Sequence, residues 1–124
     1  MINLVVHGRT PSKKNSVMTM VRGGKVLHFP SNDYQKWHKQ ALGQLKTALK
    51  GSPRLEKVRA VHLCFYSENK RKFDLSNKAE SIMDLLVDAG VLIDDNYDVV
   101  PELCLTYGGI DKGNPRCEIT IYVV

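Results

Sequence analysis

Asp74 to Asp98 reads DLSNKAESIMDLLVDAGVLIDDNYD. Leu75, Ala79, Ile82, Met83 and Leu86 recur at i, i+4, i+7, i+8 and i+11, the apolar stripe of an amphipathic helix. Asn77, Glu80, Ser81, Asp84 and Asp88 take the other side. The helix spans Leu75 to Val87 and ends at Ala89-Gly90, where Gly90 suits a left-handed cap. Such a helix must lay its stripe on something, and the flanking segments supply strands. Upstream, Val58 to Tyr66 alternates as a strand buried on at least one face. Downstream, Val99 to Tyr107 and Arg116 to Val124 read as two strands joined by a long polar turn, Gly108 to Pro115, a closing hairpin.

Further out, Ile2 to Val6 is a short apolar strand followed by a basic, turn-rich loop, His7 to Asn15. Val17 to Val21 and Lys25 to Phe29 flank Arg22-Gly23-Gly24, a hairpin signal. Pro30-Ser31-Asn32-Asp33 starts a first helix, with Ser31 or Asn32 as cap and Asp33 at the positive end of the dipole. Tyr34, Trp37, Ala41, Leu45, Ala48 and Leu49 keep helical spacing until Gly51-Ser52-Pro53. The aromatic pair in that helix is read as core. The order strand, hairpin, helix, strand, helix, hairpin predicts an α+β fold: one small domain over residues 1–124, a mixed sheet with two main helices packed on it.

Charge points to chemistry. Asp74 to Asp98 holds seven carboxylates and one base, Lys78, a local −6 in a chain of net +5, which leaves +11 on the other ninety-nine residues. A basic surface attracts a phosphate backbone. A concentrated acidic spot repels that backbone unless a hard cation stands between them. No apolar run approaches the roughly 18 residues of a membrane span, and no signal peptide opens the chain, so a cytoplasmic protein is expected. Cys64, Cys104 and Cys117 are odd in number and widely spaced, and read as reduced core cysteines. His7, His28, His38 and His62 are scattered, and with no Cys/His cluster in sequence zinc is not expected.

Spacing limits which acids cooperate. Along the helix Asn77 and Glu80 stand ~4.5 Å apart, Glu80 and Asp84 ~6 Å, and Asp88 ~16 Å from Asn77. The first three can share an ion or an ion pair; Asp88 reads as surface charge. Asp74 begins the helix, where a carboxylate caps or binds metal, with Ser76 competing for the cap. Asp94 and Asp95 are adjacent, so one of the two is expected to face an ion. Like-charge crowding of this kind implies Mg²⁺, with Mn²⁺ as the alternative.

Arg71-Lys72-Phe73-Asp74-Leu75-Ser76-Asn77, then Asp84-Leu85-Leu86, then Asp88-Ala89-Gly90-Val91-Leu92-Ile93-Asp94-Asp95 resembles the RusA family of Holliday-junction resolvases, and Pro11-Ser12-Lys13-Lys14-Asn15 is similar to that family's segment after its first strand. The resemblance implies a Mg²⁺-dependent homodimeric endonuclease making paired nicks in four-way or otherwise branched DNA. A bacterial or phage genome would encode it, with phage the preferred reading. Asp74 and Asp95 (or Asp94) match the motif acids. Ser76 replaces a second motif Asp, and Glu80 stands where the family has a catalytic Lys.

The resulting expectation makes Asp74, Asp95 and Glu80 catalytic. The metal set adds Asp94, Asp84 and Asn77 to those three. Lys13, Lys14, Arg22, Lys25, Lys70, Arg71, Lys72 and Lys78 are expected on DNA. The role of the missing motif lysine falls to Lys70, Lys72, Lys78, Lys13 or Lys14. A binding-only protein that has lost catalysis is the alternative, and Glu68-x-Lys70 as a restriction-like motif ranks below it.

Overall fold

The computed structural model describes residues 1–14 and 16–124, so Asn15 of the basic loop lies outside the described residues. The elements are β1 (Ile2–His7), β2 (Val17–Arg22), β3 (Lys25–Pro30), α1 (Asn32–Ala48), β4 (Val58–Ser67), α2 (Leu75–Asp88), β5 (Leu103–Ile110) and β6 (Arg116–Val123). A four-stranded sheet runs β1-β6-β4-β5, and β2-β3 forms a separate two-stranded sheet. β4 pairs parallel with β5 and antiparallel with β6, so the sheet is mixed, and α2 is the crossover between its parallel strands. The fold is α+β, as expected.

Alternation along the strands decides which side is covered. Val61, Leu63 and Phe65 of β4, Ile119 and Ile121 of β6, and Leu4 and Val6 of β1 are buried beneath α1 and α2. Helix α2 contributes Ile82, Leu85 and Leu86, and the turn after it Leu92, all fully buried. Each such side chain stabilises the fold by about 1.5–3 kcal/mol. Ser31 caps α1 by accepting from the Tyr34 N–H at 3.1 Å. Gly23 and Gly24 both take positive φ, which a tight β2–β3 turn requires and a side chain would oppose.

Three expectations are corrected. The last two strands are not a hairpin: β5 and β6 lie on opposite sides of β4. The connection steps over the end of β4, where the Asp111 N–H donates to Ser67 O at 2.8 Å. The penultimate strand starts at Leu103 and runs through Gly108-Gly109 to Ile110. Those glycines resemble a turn but sit at a register shift, Phe65 pairing with Tyr107 and Tyr66 with Gly109. A Cβ on Gly108 would lie 2.6 Å from the Tyr66 ring and 2.9 Å from Cys64 Sγ, so side-chain crowding selects glycine there. Finally, of the three cysteines only Cys117 is buried; Cys64 and Cys104 are part-exposed.

Candidate active site

Helix α2 is covered from two directions, and that widens its buried arc beyond the apolar stripe. The sheet takes Ala79, Ile82 and Leu86, while the loop after β1 crosses the adjoining face. Ser81, expected on the solvent side, is fully buried and donates to Pro11 O at 2.7 Å. Lys78 is buried too, its Nζ donating to Thr10 O at 2.6 Å and lying 4.3 Å from the centre of the Phe73 ring. Burial, reinforced by Arg9 and Arg71 and opposed by Glu68, lowers the Lys78 pKa to about 8. Lys13 closes the same clamp through an ion pair with Asp84.

The N-terminal end of α2 opens on a cleft of about 1210 Å³. Arg9, Lys70, Arg71, Lys72, Lys78 and Arg116 line it, against Asp33, Glu68 and Asp74 among the acids, so its walls are net positive. Asp74 occupies the N-cap position yet makes no capping bond to the helix backbone. Among the described residues its Oδ2 accepts only a long bond, 3.3 Å, from Asn77 Nδ2. A carboxylate left free at the positive end of a helix, with an amide oxygen one turn on, is a hard-oxygen donor set suited to Mg²⁺. Ser76 does not cap either and is exposed. Three buried polar atoms without a protein partner among the described residues, Thr10 Oγ1, Ser12 Oγ and Trp37 Nε1, belong to residues on the same cleft wall.

The other acids lie elsewhere. Asp84 is ten residues on from Asp74, about 15 Å along the axis, and is held by Lys13. Asp88 meets His38 Nε2 at 2.9 Å. Glu80 is exposed, and its charge acts on Lys13. In the turn after α2, Asp94 spends both oxygens locally, accepting from the Asp95 N–H at 2.7 Å and Asn96 Nδ2 at 3.0 Å. Asp95 is left as the available acid; burial, then its contact with Asp94, pushes its pKa up, and Asp84 adds to the shift. Leu92 is tied back to Leu86 O, which keeps this turn at the C-terminal end of the helix. Within one copy, then, Asp74 with Asn77 and Asp95 with Asp84 are two groups at opposite ends of α2.

Of the expected DNA contacts, Lys70, Arg71 and Lys72 line the cleft, Arg22 and Lys25 sit opposite each other at the β2–β3 tip, and Lys14 is exposed beside the clamp. The sequence reading did not single out Arg9 or Arg116. Arg9 sits in the basic loop and was open to recognition. Arg116, anchored by Asp111 at 2.8 Å and Glu118 at 2.9 Å and stacked 3.9 Å over Tyr66, lies forty-two residues from Asp74 and carries no local signal.

Among the described residues, no helix is long and apolar enough to cross a membrane. A family model described as endodeoxyribonuclease RusA matches residues 9–122, from the clamp loop to near the end of β6. Crossover junction endodeoxyribonuclease RusA of Aquifex aeolicus (strain VF5) is 28% identical over 88 residues, which cover 71% of this chain and 68% of the relative. The matched span takes in both ends of α2, the basic run before it and the loop that buries Lys78, and on that match the chain belongs to the RusA family and is an endodeoxyribonuclease.

Proposed function

We propose that this protein resolves four-way or branched DNA junctions by Mg²⁺-dependent paired nicking, acting as a homodimer. The observation that carries the reading is that one basic cleft is lined by both a non-capping Asp74 carboxylate and a buried Lys78. Asp74 and Asn77 would hold the ion, whose role when bound is to lower the pKa of its water and to neutralise charge on the scissile phosphate. Lys70, Arg71, Lys72 and Arg9 place the phosphate backbone in the cleft. Lys78 is protonated at neutral pH, yet its pKa of about 8 makes that proton easier to give than an exposed lysine's. It is suited to protonate the departing 3′ oxygen as the P–O bond breaks, and it takes the place of the lysine that the motif lacks at Glu80.

A second copy supplies what one copy separates. Two α2 helices packed antiparallel about a two-fold axis would set Asp95 of one subunit against Asp74 of the other, giving two equivalent sites for two symmetric strands. The β2–β3 sheet supports a dimer. A two-stranded sheet is marginal alone, and this one leaves Val17, Met20, Val21, Val26 and Phe29 exposed. The test is cleavage of a labelled synthetic four-way junction against linear duplex with Mg²⁺, Mn²⁺ or EDTA. Symmetric, metal-dependent nicks confined to the junction are expected. Tight junction binding without cleavage in any metal would instead mark a binding-only protein.

A further inference from the structure

The outer face of the sheet carries a second set of ligating side chains, remote in character from the hard oxygens at α2. His62 of β4 and Cys104 of β5 are register partners across the parallel ladder. Glu102 lies two residues before Cys104, so its side chain returns to the same face. One donor atom from each of the three lies within 4.8 Å of the others, and Cys104 Sγ is 3.8 Å from Glu102 Oε1. Tyr122 of β6 packs against the His62 ring edge-on, with centroids 4.7 Å apart at 62°, and fixes the ring plane. Among the described residues no protein group hydrogen-bonds the His62 ring, so its nitrogens are free to ligate.

We propose that His62, Glu102 and Cys104 form a zinc site with water as fourth ligand. Imidazole, thiolate and carboxylate together are a zinc donor set, and the thiolate disfavours Mg²⁺. A tetrahedral ion with bonds of about 2.0–2.3 Å needs its ligand atoms about 3.3–3.8 Å apart. The Cys104–Glu102 separation of 3.8 Å already lies at the edge of that range, and all three donor atoms lie within 4.8 Å of one another. The scattered positions 62, 102 and 104 hid the cluster in the sequence, because strand register and not spacing brings them together. The site would tie the edge strand β5 to β4 at the strand start, on the far side of the sheet from the helices that carry the acids. It does not rest on the nuclease reading, since none of its ligands lines the cleft.

The probe is Co²⁺, then Zn²⁺, added to metal-free full-length protein. One Co²⁺ per chain should bind with an intense tetrahedral visible spectrum and a thiolate-to-cobalt charge-transfer band, and Zn²⁺ should displace it. One proton per site should be released near neutral pH as the thiol ionises. Cys104→Ser should remove the charge-transfer band, and His62→Gln should weaken Co²⁺ binding at least about tenfold. Cys64→Ser should leave both unchanged. A weak octahedral spectrum without the charge-transfer band, or a band that survives Cys104→Ser, would overturn the assignment. Circular dichroism of each variant confirms that a lost band is not lost fold.

Discussion

The two ends of α2 handle charge in opposite ways. At the C-terminal half the acids have partners: Asp84 forms an ion pair with Lys13, and Asp88 lies 2.9 Å from His38 Nε2. At the N-terminal end the structure bears costs that its local contacts repay only in part. Asp74 sits at a cap position without capping, and Lys78 is buried with a depressed pKa. A paired acid on a half-exposed helix face needs no function to account for it. A buried lysine and an uncommitted carboxylate on one cleft wall are features that stability would not select. The contrast separates the acids of one helix into structural and reactive groups, which their spacing alone does not do.

The largest effect should come from Asp74→Asn, which keeps the Asn77 contact and removes the charge. Junction cleavage should fall by about a thousandfold or more while junction binding holds or tightens. Unchanged cleavage would remove Asp74 from the mechanism. Lys78→Met should lower cleavage by about a hundredfold yet leave the fold as stable or more so. The sign follows from linkage. With a folded pKa of about 8 against an ordinary 10.5, the unfolded chain binds more protons between those values. Stability of the natural protein therefore rises with pH across that window, and the penalty is fully present below it. Removing it at pH 7 gains on the order of 2–3 kcal/mol, offset by about 1 kcal/mol for the lost bond to Thr10 O. Thermal melts at pH 7 and pH 10 should show the variant's advantage shrinking at the higher pH.

Gly108→Ala sharpens the same point from a purely structural position. Its Cβ would press on Tyr66 and Cys64, and a loss of about 1–3 kcal/mol is expected by denaturant unfolding. Smallest of all, Asp88→Asn should change stability by less than about 0.5 kcal/mol and cleavage hardly at all. A large cleavage defect there would blur the distinction between the two ends.

Much of this was legible in the sequence where the physics is local. The apolar stripe of α2, the Gly23-Gly24 turn, the Ser31 cap and the acidic imbalance all act within a few residues. What stayed hidden depends on strand order and register. Nothing local tells that the β5–β6 connection passes over β4, that Gly108 sits at a register shift under Tyr66, or that His62 faces Cys104. The burial of Lys78 and Ser81 was missed for a related reason. Helical periodicity describes one covered face, and a loop sixty-eight residues earlier in the chain supplies the second.

The most direct test of the account mixes two inactive subunits. Differently tagged Asp74→Asn and Asp95→Asn chains are co-expressed, and the mixed dimers are isolated and given a four-way junction with Mg²⁺. If the opposite ends of α2 from two copies build each site, one site in the mixed dimer keeps both carboxylates, and single nicks should return although neither parent cleaves. If the mixed dimer stays as inactive as its parents, each site draws both acids from one chain, and the separation of the two ends would not have the meaning given to it.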